Sequence, residues 1–147
     1  MAGFEYSGYP RGWFVVAFAD ELAAGDVKRM KYFGQELVCF RGEDGQVVIL
    51  DAYCPHLGAH LAVGGKVVGN TVKCPFHAWR FDGTGRCVDV PYADKIPPKA
   101  KVRTWPVLER NGLIYVFHDR GQGPPDWDVE VIGEYGDGFT TWRPNLL

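Results

Sequence analysis

At 147 residues the chain favours one domain around one core. With 46% hydrophobic and 14% aromatic residues it is too apolar for a disordered chain. A formal charge of −2, from 16 Lys and Arg against 18 Asp and Glu, argues against a nucleic-acid partner, which needs a basic surface.

Strand signals are short and frequent, and 19 glycines and 10 prolines suit an all-β chain better than a helical bundle. Residues 12–19 form the first apolar run, too short to span a bilayer. No charged start followed by a long apolar segment precedes it, so the chain reads as soluble and cytoplasmic, with no membrane partner. Residues 20–25 read as one helical turn, with Asp20 as N-cap and Gly25 as terminator. Residues 27–33 and 35–41 are predicted strands joined at Gly34.

Three glycine pairs mark hairpins. Asp44-Gly45 separates residues 37–40 from 47–50, Gly69-Asn70 separates 66–68 from 71–73, and Asn111-Gly112 separates 102–110 from 113–117. No internal repeat and no long helical pattern appears, so the predicted fold is mostly antiparallel β. Residues 51–92 differ in character, being rich in Gly and Pro, and read as an inserted metal-binding lobe. Gly121-Gln122-Gly123-Pro124-Pro125 is a linker signature. The predicted division is a domain over residues 1–125, followed by a tail, or the start of a further domain, over 126–147.

Four cysteines occur, and with no export signal a metal site is a better expectation than disulfides. Cys39 lies in a strand-like run and reads as a small buried hydrophobe, and Cys87 reads the same way. Cys54 and Cys74 each head a short segment that also holds a histidine: Cys54-Pro55-His56 and Cys74-Pro75-Phe76-His77. The full pattern is C-x-H-x17-C-x2-H. A structural zinc site uses the same residue types, but its usual spacing pairs Cys with Cys and His with His. A Cys54–Cys74 disulfide leaves both histidines unexplained. A dinuclear iron–sulfur site with two cysteines on one iron and two histidines on the other uses one of each from both segments. Such a site moves single electrons, and imidazole ligation raises its potential above that of four-cysteine clusters.

The segments Cys54-Pro55-His56-Leu57-Gly58-Ala59-His60 and Cys74-Pro75-Phe76-His77-Ala78-Trp79-Arg80-Phe81-Asp82-Gly83-Thr84-Gly85 resemble the two cluster boxes of Rieske proteins. The chain is most similar to the N-terminal Rieske domain of non-haem iron oxygenases of the 3-ketosteroid 9α-hydroxylase and cholesterol-desaturase group. Supporting stretches are Arg11-Gly12-Trp13, Asp51-Ala52-Tyr53, Pro91-Tyr92-Ala93, Ile96-Pro97-Pro98 and residues 111–119. The resemblance implies an antiparallel β-sandwich with an inserted cluster lobe. It also implies a Rieske-type [2Fe–2S] cluster held by Cys54, His56, Cys74 and His77. Ala59 and Phe76 stand where respiratory Rieske proteins carry an extra cysteine pair. Trp79 and Phe81 stand where those proteins place hydroxyls beside the cluster sulfurs. Fewer hydrogen bonds to sulfur imply a low potential, on the order of −150 mV.

Whole oxygenases of this family add a mononuclear iron on two histidines and a carboxylate. After the cluster takes two of the four histidines here, only His60 and His118 remain; His60 reads as a hydrogen-bonding or surface residue of the lobe and His118 as structural. The chain is therefore expected to carry no catalytic residue of its own. The resemblance implies a reductase as electron donor, a mononuclear-iron domain or subunit as acceptor, and homo-oligomeric contacts. A free-standing Rieske ferredoxin is the alternative reading, and a structural zinc module a third.

Overall fold

The computed structural model describes residues 8–132, so the aromatic residues Phe139 and Trp142 of the expected tail lie outside it. Strand β1 (Gly12–Phe18) leads through a 3₁₀ turn (Ala19–Glu21) into a meander of β2 (Val27–Tyr32), β3 (Gln35–Arg41) and β4 (Val47–Asp51). The lobe follows, with β5 (Lys66–Val68), β6 (Thr71–Lys73), β7 (Arg80–Phe81) and β8 (Cys87–Asp89). The chain returns as β9 (Thr104–Trp105), β10 (Val107–Arg110) and β11 (Leu113–His118). These strands pair into three antiparallel sheets, ordered β1-β11-β10, β2-β3-β4-β9 and β5-β6-β7-β8.

The middle sheet divides the interior. Side chains alternate across a strand, so a strand buried on both faces reads as an unbroken apolar run. Leu37 and Cys39 of β3 pack with Met30, Ile49, Trp105, Ile114 and Val116 toward the first sheet. Val38 and Phe40 pack with Leu50, Leu61, Val72, Trp79 and Phe81 toward the lobe. Cys39 is thus a fully buried core residue, and burial pushes its thiol pKa up to about 12. Arg41 ties the layers at their edge, donating to the carbonyls of Ala19 and Gly45 and to Glu109 (3.0, 2.7 and 2.7 Å).

The Asn111-Gly112 hairpin forms as expected, with φ of 54° and 73° at its two turn residues. Two local expectations fail. Asp20 is not an N-cap: β1 stays in register with β11 as far as Phe18, so the 3₁₀ turn opens at Ala19 with Phe18 before it and no side-chain cap. Only three residues long, that turn has no second turn of N–H groups for a cap to satisfy. The run 102–110 is also not one strand. Pro106 lacks an N–H, and the chain changes sheets there: Trp105 pairs with Ile49, Val107 with Val116.

Beyond the Gly/Pro stretch the described chain packs back on the first sheet. The Trp13 Nε1–H donates to the Trp127 carbonyl at 2.7 Å, and Arg110 pairs with Asp128 at 3.3 Å. No helix among the described residues is long and apolar enough to cross a membrane.

Candidate metal centre

The two Cys/His segments fold into loops with one hydrogen-bond pattern. In residues 54–59 the Cys54 N–H donates to the Ala59 carbonyl (2.9 Å) and the Gly58 N–H to the Cys54 carbonyl (2.9 Å). In residues 74–79 the Cys74 N–H donates to Trp79 (2.8 Å) and the Ala78 N–H to Cys74 (3.2 Å). The fifth residue of each loop is left-handed, with φ of 78° at Gly58 and 60° at Ala78. Both loops rise from paired backbone. The Ala52 N–H donates to Glu36 (3.1 Å), the Leu61 N–H to Ala52 (2.7 Å), and Cys74 directly follows β6.

This repetition gathers the four sequence-predicted donors by type. Cys54 and Cys74 head the loops and are each 2% exposed. Burial pushes the Cys54 thiol pKa up to about 11, and the neighbouring Cys74 adds to the push, while the His56 backbone N–H acts against it. Two adjacent buried sulfur donors suit a cation, whose charge offsets the cost of a buried thiolate. The His56 and His77 rings lie 4.7 Å apart at 70°. The Nδ1 atoms of both are buried and have no hydrogen-bond partner among the described residues. A buried polar atom without a partner calls for a ligand, and here two occur side by side.

The donors fit a dinuclear cluster better than a single ion. Tetrahedral zinc needs its donors around one point at about 2.0–2.3 Å. Among the described residues no three His, Cys, Asp or Glu side chains gather around one point. A cysteine pair and a histidine pair, supplied one each by two loops, match a cluster with two sulfur-ligated and two nitrogen-ligated positions.

The remaining candidates are committed elsewhere. The His60 Nδ1 accepts the Ala62 N–H (3.1 Å), which leaves its Nε2–H to donate to Glu36 (3.3 Å). Glu36 is also gripped by the Arg29 guanidinium at 2.9 and 3.0 Å, and its carboxyl pKa is held down at about 2, chiefly by that bond. His118 is buried, packs against Phe33 at a 33° tilt (ring centroids 4.4 Å apart) and bonds through Nδ1 to the Pro10 carbonyl (2.9 Å). Cys87 is a buried thiol that donates to the Asp89 carbonyl (3.4 Å), with its pKa raised by burial. Arg80 is paired with Asp89 at 2.9 Å.

Sequence reasoning missed one contact. Trp79 lies flat on His56, with ring centroids 4.5 Å apart and planes within 8°. Its indole N–H donates to the hydroxyl of Tyr92 at 2.6 Å. No periodicity links Trp79 to Tyr92, since the β7–β8 hairpin lies between them.

Comparison with known proteins places the chain in a family. The family described as Rieske [2Fe–2S] domain matches residues 12–106. A cholesterol 7-desaturase of Hemicentrotus pulcherrimus is 48% identical over 130 residues, covering 86% of this chain and 28% of that protein. A probable 3-ketosteroid-9-alpha-monooxygenase oxygenase component of Rhodococcus rhodochrous is 47% identical, covering 95% of this chain and 35% of that protein. Among solved structures, dicamba monooxygenase bound to dicamba superposes with a TM-score of 0.70 at 34% identity, covering 78% of this chain and 36% of that one. The oxygenase–ferredoxin complex of carbazole 1,9a-dioxygenase matches with a TM-score of 0.68 at 30% identity, covering 80% of this chain and 31% of that one. The chain thus spans about a third of the length of the relatives it matches.

Proposed function

The chain belongs to the Rieske [2Fe–2S] domain family, and from that premise we propose that Cys54, His56, Cys74 and His77 are the cluster ligands of a steroid-type oxygenase's electron-transfer unit. The Rieske-type cluster that membership brings supplies one-electron redox chemistry. The observation carrying the ligand assignment is the pair of matched loops, which bring two buried thiols together and leave two buried Nδ1 atoms without partners.

The chain's residues hold, shield and present the site. Pro55 and Pro75 fix φ beside each cysteine, and the paired carbonyl and N–H groups keep the loops closed, which limits rearrangement as charge changes. Leu61, Phe81 and Trp79 close the inner side against water. On the outer side Leu57 and Phe76 are 64% and 62% exposed and flank the histidines in sequence. An apolar rim beside the two imidazoles supports contact with electron-transfer partners there. These partners are a reductase as donor and a mononuclear-iron domain or subunit as acceptor.

The acceptor's histidines come from outside these 147 residues. The chain has four histidines, and both His60 and His118 are taken by hydrogen bonds within the fold. The Rieske unit in this reading spans residues 1–125, with its cluster lobe over 51–92, and residues 126–147 lead toward the catalytic portion. Free thiols at Cys39 and Cys87 support a reducing, cytoplasmic setting.

The test is iron, zinc and acid-labile sulfide per chain on freshly purified protein, repeated for Cys54→Ser, His56→Ala, Cys74→Ser and His77→Ala. The expected result is two irons and two sulfides in the parent and loss of both in each variant. Zinc without sulfide, or full cluster content in a variant, overturns the assignment.

A further inference from the structure

Tyr92 is an exposed aromatic residue whose polar end turns inward. It stands in the exposed stretch 91–99 and is itself 62% exposed. Its oxygen accepts the indole N–H of Trp79, which is 7% exposed. An indole has one donor and no acceptor, so a buried tryptophan without this partner carries an unsatisfied N–H. The hydrogen bond therefore fixes how the indole lies, and the indole lies parallel to His56. Among the described residues His77 has no matching support: Phe76, beside it in the loop, is tilted by 46° and exposed.

We propose that Tyr92 is a positioning residue for the His56 imidazole, acting through Trp79. The inference rests on the assignment of His56 as a cluster ligand. Two consequences follow from the contact. The flat indole restricts rotation of the imidazole about its Cβ–Cγ bond. Its face also carries the negative lobe of the ring quadrupole, which favours positive charge on the ring it covers. A metal-bound imidazole is more positive in the oxidised state, so a held indole favours that state. Releasing the indole favours reduction.

The experiment compares the cluster-loaded full chain with Tyr92→Phe, Trp79→Phe and the double variant, and uses Tyr53→Phe as control. Tyr53 is another exposed tyrosine, and its ring meets His60 rather than Trp79. Readouts are dithionite titration with redox mediators and low-temperature electron paramagnetic resonance of the reduced state. Tyr92→Phe removes one hydroxyl and keeps the ring of an exposed residue, so iron and sulfide content stay at the parent level. The equilibrium constant for one-electron reduction rises at least threefold, an upward midpoint shift of about 28 mV. The g-anisotropy of the reduced signal changes with it, and Tyr53→Phe leaves both unchanged. Trp79→Phe shifts the midpoint the same way, and Tyr92→Phe adds nothing in its background, because the hydroxyl then has no indole to hold. A shift below threefold, a downward shift, or additive effects in the double variant overturn the inference while the ligand assignment stands. A parent chain that takes up no iron–sulfur cluster overturns both.

Discussion

Gly65 separates the stems of the two ligand loops, and adding one methyl group there tests whether those stems hold the site. A Cβ at this position would sit 1.8 Å from the Leu61 carbonyl oxygen and 3.2 Å from that of Lys73. Contacts under 3.0 Å do not persist, so Leu61 or Gly65 must move by at least about 1.2 Å. Leu61 cannot yield cheaply, because it is fully buried and its N–H is bonded to Ala52 at 2.7 Å. Overpacking costs about 1–3 kcal/mol, and a strained or lost hydrogen bond about 1 kcal/mol more, so Gly65→Ala should lose about 3 kcal/mol. With a urea slope of about 2 kcal/mol/M the midpoint falls by about 1.5 M, and iron content falls with it, since residue 61 closes one loop and residue 73 opens the other. The comparison is Gly45→Ala. Gly45 has φ of 85° and open space around it, so the change costs only the left-handed strain, about 1 kcal/mol, and leaves iron content intact. If Gly65→Ala unfolds at the same urea concentration as Gly45→Ala and retains full iron, the stems do not meet as described.

Ala78 carries left-handed strain that Gly58 avoids at the matching loop position, so Ala78→Gly should leave stability unchanged or raise it by up to about 1 kcal/mol, and Gly58→Ala should lower it by about 1 kcal/mol. Thermal unfolding reads the difference as a Tm shift of about 3 °C per kcal/mol, and destabilisation by Ala78→Gly would contradict the loop geometry. Glu36 has its pKa held at about 2, below the unfolded value near 4.5, so its contribution is present above about pH 4.5 and fades as pH falls toward 2. Glu36→Gln should therefore destabilise at neutral pH and converge on the parent near pH 2, and a gap independent of pH would exclude the Arg29–Glu36 pairing as its source. Potentiometric titration of the parent should give a midpoint on the order of −150 mV, and a strongly positive value would refute the reading that Trp79 and Phe81 deprive the cluster sulfurs of hydroxyl donors.

What was legible in the sequence was what local chemistry decides. Asn111-Gly112 and Asp44-Gly45 announce their reversals because few residues tolerate such turns, and β3 reads as an apolar run because both its faces are covered. The Cys/His pattern was legible because short loops force neighbours in sequence to be neighbours in space. The break at Pro106 was not, since residues 102–110 look like one strand until β4 and β11 compete for them from different sheets. Asp20 has the right chemistry for a cap and no helix to cap. Arg41 and Tyr92 were also illegible as partners, for each acts on groups brought near only by the complete fold.

The two loops share a hydrogen-bond pattern but not a ligand position, and this difference shapes the site. Histidine is the third residue of the first loop and the fourth of the second, while Leu57 and Phe76 take the complementary places. Identical loops with identical ligand positions would present their imidazoles as symmetric equivalents. The one-residue offset instead brings the rings together at 70°, with one flat against a buried indole and the other beside an exposed phenylalanine. The two imidazoles proposed as ligands therefore stand in unequal surroundings. Because indole contact at His56 favours the more positive state, the electronic influence of the fold enters mainly through the first loop. Leu57 and Phe76 are both exposed, so in the proposed function each loop lends an apolar residue to the partner-facing rim, and Phe76 is the one beside the imidazole that no indole covers. Replacing Phe76 with alanine should thus alter the rate of reduction by an external donor while leaving the midpoint potential in place. A shifted midpoint with an unchanged rate would reverse these roles.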